Sequence, residues 1–314
     1  MTSIRHRFIW KCLEVFYRIY VGVSMSVVSR MDFGTNVYSR NWDVLVVLDT
    51  ARVDAMRTVS NKFNFIQDTQ SIYSVGSTSS EWVAKTFESQ YRAEIANTVL
   101  LSANPHVQHT LYDRQFPEHD KDAFFAFTSW DTVQSEDFEY IEQPWKYATD
   151  EQYDHVMPAD MTDRAVSLYR ERNPDRMIIH YMQPHRPYMS QAYKENRQLT
   201  DVERDPFTYL KNGGNRERVF SNHVADLEFV LETGVKPLLR NIDADTVAIT
   251  ADHGDGFGEN WCYAHIAGDP RRQVRRVPWI ETEATDRNEL DPTLTPPENV
   301  NDKTEDRLEA LGYI

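Results

Sequence analysis

Cysteine is scarce in this chain, which has only Cys12 and Cys262 among 314 residues. Two cysteines form neither a disulfide framework nor a zinc-ligand spacing, so we expect a reducing compartment, the cytoplasm. Cys262 lies in the segment NWCYAH, close to candidate functional residues. A reactive thiol and a small buried residue are the two interpretations of it.

Positive charge is also in short supply. The chain has 34 Lys and Arg against 49 Asp and Glu, which gives a net charge of −15. Such a field excludes non-specific nucleic-acid binding and favours solubility. An acidic, lysine-poor composition is typical of proteins from salt-loving archaea, and it also fits an ordinary acidic enzyme. Hydrophobic residues make up 40%, enough for a sizeable core, which excludes global disorder.

Long apolar runs are absent from the amino-terminal region. No stretch there reaches the roughly 20 residues that a spanning helix needs, and no small-residue cleavage site follows an apolar core, so we do not expect a secretory signal. Residues 1–30 instead predict a basic amphipathic helix, in which apolar residues alternate with Arg5, Arg7, Lys11 and Arg18. This helix either lies on an anionic membrane surface, which would make the protein membrane-peripheral, or packs on the domain.

Alternating strand and helix patterns over residues 41–280 predict one α/β domain, with a largely parallel central sheet and helices on both faces. The strand candidates are Val44–Leu48, Thr98–Ser102, Met177–Met182 and Val247–Thr250, and the helix candidates are Glu81–Arg92, Met161–Arg172 and Phe220–Leu239. Residues 104–153 are rich in aromatic and acidic residues and predict either a segment that caps a site or irregular core. Residues 281–314 predict an acidic tail with a short terminal helix.

Two strand candidates end in acidic residues. The segments VLVVLDTARVDAM and VAITADHGDGFGEN place Asp49 and Asp252 directly after buried runs, and His253 follows Asp252. Carboxyl ends of buried strands meet at the sheet edge where ligands bind. Two carboxylates and an imidazole there predict a divalent metal ion: zinc, manganese, calcium or magnesium. The alternatives are that Asp49 only caps a helix near Arg52, and that His253 is a surface residue of a turn.

Three loops carry further candidates. IIHYMQPHRPYM contains His180 and His185, and His265 lies in YAHIAGDPRRQVRRVPW. A histidine near a cation serves as ligand, general acid or phosphate donor, although an ordinary hydrogen-bonded loop histidine fits each position as well. The segment GSTSSEW, Gly76–Trp82, places hydroxyl groups at a predicted helix amino terminus. They are either nucleophiles, activated by a nearby metal, or helix caps.

Together these segments resemble the alkaline phosphatase superfamily, specifically its sulfatase-like proteins. VLVVLDTARVDAM is similar to the first metal-binding strand, HYMQPHRPY to the PHxPY segment, ITADHGDGFGE to the second metal-binding strand, and the terminal RLEALGYI to the ending of many members. The resemblance implies a hydroxyl nucleophile within residues 77–80, for which Ser79 is preferred over Thr78 because it precedes the helix most closely. It also implies metal ligands and substrate-binding histidines: Asp49, Asp252 and His253 as metal ligands, and His185 and His265 as residues that hold the substrate oxyanion or a second cation.

The chain departs from sulfatases in two places. The Cys-x-Pro-x-Arg or Ser-x-Pro-x-Arg segment is missing, so formylglycine is not expected, and Thr50 replaces the second of two adjacent aspartates that many sulfatases carry. We therefore predict a hydrolase or transferase of phosphate or sulfate esters, with phosphate preferred, in which His265 or His185 protonates the leaving group. The alternatives are a transferase that modifies lipid-linked or surface glycans, and a non-catalytic binding protein on the same fold.

Overall fold

The computed structural model describes residues 2–297, and it describes their side chains except at residues 2–10 and 120. The helices are α1 Thr2–Val28, α2 Val53–Val59, α3 Ser79–Thr86, α4 Arg92–Ile95, α5 Pro117–Asp120, α6 Pro158–Arg172, α7 Ser190–Lys194, α8 Asp201–Arg204, α9 Pro206–Lys211, α10 Arg216–Val230, α11 Lys236–Leu238 and α12 Arg272–Arg275. The strands are β1 Val44–Leu48, β2 Gln70–Tyr73, β3 Thr98–Ser102, β4 Tyr140–Glu142, β5 Thr149–Asp150, β6 His155–Val156, β7 Arg176–Tyr181, β8 Ala244–Thr250, β9 Gly256–Phe257, β10 Tyr263–Ala264 and β11 Arg276–Ala284.

A seven-stranded sheet organises the fold, in the order β2-β11-β8-β1-β7-β3-β4. The five strands from β8 to β4 run parallel, and β11 runs antiparallel to both β8 and β2. This is the largely parallel α/β architecture that the sequence predicts. Because the central strands are parallel, their carboxyl ends lie at one edge of the sheet, where side chains from distant parts of the chain meet.

The central strands are buried on both faces. Every residue of β1 and β3 is buried, and β1 pairs in register with β7 on one side and β8 on the other. Continuous Val and Leu runs suit this position because helices cover both faces of a parallel sheet. The bounds of β1 and β3 match those predicted from the sequence.

Two helix predictions need correction. The helix predicted over Glu81–Arg92 is α3, which begins at Ser79 and ends at Thr86, because the hydroxyl-rich segment before Glu81 enters the helix. The helix predicted over Phe220–Leu239 begins earlier, at Arg216, and is interrupted by a π-helical turn over Leu231–Val235.

The two segments that were hard to interpret from sequence contribute to the domain. Residues 104–153 supply β4, the edge strand next to β3, and also part of a cavity wall described below. The acidic tail predicted from residue 281 starts inside β11, which continues to Ala284, and backbone amides of Thr293 and Leu294 bond to Asp163 on α6. The short terminal helix predicted within 298–314 lies outside the described residues.

Helix α1 lies against the domain along one side. Val21, Met25 and Val28 are buried together with Ala267, and the Tyr20 hydroxyl donates to the Gly268 carbonyl at 2.9 Å. This contact agrees with the packing interpretation of the amphipathic helix. Among the residues that the structure describes, no helix is both long enough and apolar enough to cross a bilayer.

Candidate active site and metal cluster

Asp49 and Asp252 lie at the carboxyl ends of β1 and β8, on adjacent strands of the sheet. Both side chains are fully buried. Asp49 does not cap the following helix, because α2 begins at Val53 with Arg52 in the cap position. Thr50, which directly follows Asp49, has a φ of 63°, a costly conformation for a β-branched residue. Its N–H donates to Asp252 Oδ1 at 3.1 Å. The turn after β1 is thus held in a form that brings the two carboxylates together.

Ser79, the first residue of α3, lies between these carboxylates. Its Oγ is 2.7 Å from Asp252 Oδ2 and 3.3 Å from Asp49 Oδ2, and it is 3.4 Å from His253 Nε2. The hydroxyl also stands at the amino terminus of a helix, where the peptide dipoles favour negative charge. One oxygen therefore contacts three of the predicted metal ligands.

The neighbouring hydroxyls have other partners. Thr78 caps α3, and its Oγ1 accepts the Glu81 N–H at 3.2 Å and lies 3.1 Å from Ser80 Oγ. The Ser77 hydroxyl bonds to Glu81 Oε1 at 2.8 Å. The structure therefore places Ser79 in the cluster and Thr78 in the capping role, which were the two interpretations of this segment.

A buried ion pair anchors the loop that carries Ser79. Glu81 is fully buried and pairs with Arg275 at 3.0 Å, while Arg275 also donates to the Val75 carbonyl at 2.8 Å. Gly76 allows the tight turn, because a Cβ there would lie 2.4 Å from the Trp82 backbone nitrogen. The loop is therefore held at its start, through Val75, and at the following helix, through Glu81. These contacts were not predicted from the sequence.

Two further residues belong to the cluster: Asn104, which was not selected from the sequence, and His180, which was named there as a candidate without being assigned to this metal site. Asn104 donates to Asp49 Oδ2 at 2.7 Å, and His180 Nε2 lies 3.6 Å from Asp49 Oδ2 and 3.8 Å from Asp252 Oδ2. Asn104 follows the buried strand β3, so the strand-end rule that identified Asp49 also applies to it. His180 is inside β7, one residue before its end, where such a rule does not select it.

A second group of side chains adjoins the first. His253, Asp255 and His265 place one potential ligand atom each within 4.8 Å of one another, as do Asp49, His180 and Asp252. The His265 Nδ1 lies 2.7 Å from Asp255 Oδ1, and its ring centre is 4.2 Å from that of His253. The Nδ1 of His253 lies 3.1 Å from the Gly254 carbonyl, an arrangement that leaves Nε2 directed at Ser79.

Charge in the cluster is balanced by its own members. Burial opposes ionisation of Asp49, but nearby imidazoles, His180 foremost, hold the pKa of that carboxyl below its ordinary value. Burial likewise disfavours the imidazolium of His253, yet Asp252 and Asp49 raise its pKa above the ordinary value. His185 has fewer acidic neighbours, and burial lowers its pKa to about 3, so at neutral pH it is an uncharged imidazole.

The residues present fit a divalent cation. Buried atoms in the described part of the chain that have no hydrogen-bond partner include Asp49 Oδ1, both ring nitrogens of His180 and Asp255 Oδ2. Orphaned buried polar atoms are rare in proteins and often indicate an ion. Mixed carboxylate and imidazole donors suit zinc or manganese, whereas magnesium and calcium favour oxygen ligands alone.

A cavity of about 900 Å³ opens above Ser79 and Asp49. His185 and His265 line it, so the structure brings the predicted substrate-binding histidines to the same cavity as Ser79, with their ring centres 5.8 Å apart. Three cationic side chains share the lining, Lys121, Arg186 and Arg204, of which Arg204 lies 3.7 Å from Asp154 of the same lining. In a protein of net charge −15, a cavity lined by histidines and cations favours an anionic ligand.

Cys262 takes no part in the cavity lining. It is fully buried, and burial raises the pKa of its thiol to about 12. A thiol that stays protonated at neutral pH is a poor nucleophile. The structure therefore agrees with the interpretation of Cys262 as a small buried residue.

Comparison with known proteins gives similarities of structure only. No family model matches the sequence, and no curated protein matches it. The soluble domain of lipooligosaccharide phosphoethanolamine transferase A from Neisseria meningitidis is similar over 78% of this chain and 77% of its own, with a TM-score of 0.49 and 12% identity. The integral membrane form of that enzyme is similar over 79% of this chain and 49% of its own length, with a TM-score of 0.47 and 12% identity.

A third similar structure is a protein in the alkaline phosphatase superfamily from Vibrio parahaemolyticus. It is 12% identical, with a TM-score of 0.41, over 87% of this chain and 69% of its own. The chain thus spans about half of the integral membrane transferase and larger shares of the other two. At 12% identity, these similarities concern the arrangement of the backbone and not the sequence.

Proposed function

We propose that the chain is a metal-dependent phosphate-ester hydrolase or transferase in which Ser79 is the nucleophile. One observation carries the proposal: Ser79 Oγ lies at a helix amino terminus within 3.4 Å of Asp49, Asp252 and His253, at the base of a cavity lined by histidines and cations. A nucleophilic hydroxyl needs a group that lowers its pKa and a site that stabilises developing negative charge. The cluster offers both.

The cation would be held by Asp49, Asp252 and His253, with His180 next to the two carboxylates. When bound, such an ion polarises a phosphoryl oxygen and lowers the pKa of the attacking hydroxyl. Beside this cation, His265 would hold the phosphoryl oxygens or, together with Asp255, a second cation. Asn104 holds the Asp49 carboxylate in position through its 2.7 Å hydrogen bond.

The reaction proceeds in two displacements. Ser79 Oγ attacks phosphorus and the bond from phosphorus to the leaving oxygen breaks, while the hydroxyl proton passes to Asp252 Oδ2, to which it is already donated. The leaving oxygen takes a proton from His265 and not from His185, because His185 is an uncharged imidazole at neutral pH. Water or an acceptor hydroxyl then attacks the phosphoserine and loses a proton to the same histidine. The bond from phosphorus to Ser79 Oγ breaks, and Asp252 returns its proton to that oxygen.

Phosphate is favoured over sulfate because of the residues around Ser79. Sulfatases use an aldehyde hydrate, whose second hydroxyl expels sulfate, but the segment GSTSSEW lacks the residues that accompany that modification. A plain serine depends on attack by water or an acceptor at the covalent ester. Phosphoryl transfer tolerates this route when fixed charges stabilise the transition state.

Substitution of adjacent hydroxyls tests the proposal. Ser79→Ala should abolish turnover of p-nitrophenyl phosphate or bis(p-nitrophenyl) phosphate, whereas Ser80→Ala, in the same helical turn, should retain most of it. Intact-mass measurement after rapid quenching should show an added phosphoryl group in the wild type and none in Ser79→Ala. Faster cleavage of p-nitrophenyl sulfate, or a modified residue within 76–82, would contradict the proposal. Bound metal without turnover of any ester would favour the non-catalytic binding protein.

A transferase that acts on lipid-linked or surface glycans is the second candidate. It is favoured by one observation, the exposed apolar residues Leu13, Phe16 and Val23 of helix α1, because a helix that binds a membrane surface would bring lipid-linked substrates to the protein. Transfer to an acceptor hydroxyl in place of water, measured with a glycan acceptor, distinguishes this candidate from a hydrolase.

A further inference from the structure

Helix α1 carries a second apolar stripe, separate from its buried side. Leu13, Phe16, Val23 and Val27 are all exposed, and Phe16 retains 70% of its accessible surface. At 100° per residue these four positions fall within an arc of about 80°. The buried residues Val21, Met25 and Val28 lie on a different side of the helix. The exposed stripe is therefore not needed for packing on the domain.

The loop Asp122–Phe127 adds further exposed aromatic residues next to α1. Its backbone lies directly on α1: the Phe124 N–H donates to the Arg18 carbonyl at 3.1 Å and the Phe127 N–H donates to Ser26 Oγ at 2.8 Å. A Cβ on Gly22 would lie 1.9 Å from the Phe124 carbonyl oxygen, so only glycine permits the contact. Phe125 and Phe127 nevertheless remain 66% and 72% exposed. The loop thus holds two large aromatic rings in solvent next to the side of α1 that carries Arg18, Gly22 and Ser26.

Positive charge is concentrated in the amino-terminal region that contains this apolar stripe. Residues 1–30 contain five Lys and Arg and one acidic residue, a net charge of +4, whereas the other 284 residues carry −19. Lys11 on α1 and Arg30, two residues after its end, are exposed. Apolar side chains with basic neighbours, in an otherwise acidic protein, match the interface of an anionic bilayer, where aromatic rings insert and cations meet lipid phosphates.

We propose that α1 and the loop Asp122–Phe127 form a docking surface for an anionic lipid bilayer. The four exposed apolar residues of α1, together with Phe125 and Phe127, insert at the level of the headgroups, while the buried side of α1 stays on the domain. This surface is independent of the proposed chemistry, but it adjoins the cavity. Lys121 of the cavity lining directly precedes the loop, and His265 precedes the Ala267 contact with α1. Docking therefore places one wall of the cavity next to the bilayer.

Vesicle co-sedimentation of the full chain tests the docking surface. Wild type should bind vesicles of phosphatidylcholine mixed with phosphatidylglycerol more strongly than vesicles of phosphatidylcholine alone, and added salt should weaken binding. The triple variant Phe16→Ser/Phe125→Ser/Phe127→Ser should lower the partition coefficient at least about tenfold. Tyr193→Ser, which removes a ring that is 48% exposed on helix α7, should leave it unchanged.

Two further measurements separate the outcomes. Thermal unfolding of the triple variant should match wild type, because the three rings are largely exposed, and turnover of p-nitrophenyl phosphate in solution should be retained. Equal vesicle binding by wild type and triple variant would refute the docking surface. A second outcome would also refute it: the wild type does not bind anionic vesicles but forms a dimer, and the triple variant does not form that dimer. The apolar surface would then be an interface between two copies of the chain. Vesicle binding without ester turnover would refute the proposed function and leave the docking surface intact.

Discussion

Replacing Glu81 by Gln should destabilise the protein by roughly 3–5 kcal/mol, the cost of breaking a buried ion pair from one side. Gln has nearly the same shape, so the loss comes from charge and not from a cavity. The Glu81 carboxylate is fully buried and accepts from Ser77 N at 3.1 Å, Ser77 Oγ at 2.8 Å and Arg275 at 3.0 Å, as well as from Gly268 N. After substitution the Arg275 guanidinium, only 8% exposed, remains buried without its counter-ion.

Urea unfolding followed by tryptophan fluorescence measures this loss. Glu232→Gln is the control, because it breaks an exposed pair with Lys236 whose contribution should be about 0.3–0.5 kcal/mol. Adding Arg275→Met to Glu81→Gln should recover part of the stability, since the unpaired charge is then removed. A loss below about 1 kcal/mol for Glu81→Gln, or no recovery in the double variant, would refute the view that this pair anchors the Ser79 loop.

Two other substitutions probe the site and the core. Asp252→Ala should remove the metal, measured by elemental analysis of the purified protein, and reduce ester turnover more than about a hundredfold; retained metal would contradict the assignment of Asp252 as a ligand. Asp226 is fully buried, which raises the pKa of its carboxyl to about 7. Since the unfolded chain loses this proton near pH 4 and the folded chain keeps it, the free energy of unfolding should fall as pH rises from about 4 to 7, by up to roughly 4 kcal/mol. Asp226→Asn should flatten that decline, and parallel stability curves for the two proteins would show that another group controls it.

Sequence patterns predicted the parts of the fold in which one physical requirement dominates. Burial on both faces of a parallel sheet demands continuous apolar residues, so β1 and β3 were predicted with correct bounds. The same requirement ends each strand at the sheet edge, which is why Asp49 and Asp252 were expected to meet. The strand β4 was not found because it has only three residues, Tyr140–Glu142, and two of them are only partly buried at the sheet edge.

The remaining errors concern features that depend on contacts distant in sequence. Helix α3 starts at Ser79 because Thr78 caps it and the ion pair between Glu81 and Arg275 fixes its first turn. No local sequence pattern specifies that ion pair. His180 was one of several histidine candidates and was not assigned to the metal site, because its approach to Asp49 follows from the pairing of β7 with β1. Site residues at strand ends are thus accessible to sequence reasoning, whereas those within strands or in buried ion pairs require the tertiary structure.

The separation of the cluster along the chain has a consequence for biosynthesis. Ser79 is 173 residues from Asp252, and Glu81 is 194 residues from Arg275. Contacts this distant in sequence form late, because the intervening chain must first be ordered. A nascent chain that has not yet produced β8 lacks two of the three predicted metal ligands and has no counter-ion for Glu81. Metal uptake therefore requires synthesis through β8 and the two ligands that follow it, and a shorter nascent chain lacks the complete ligand set.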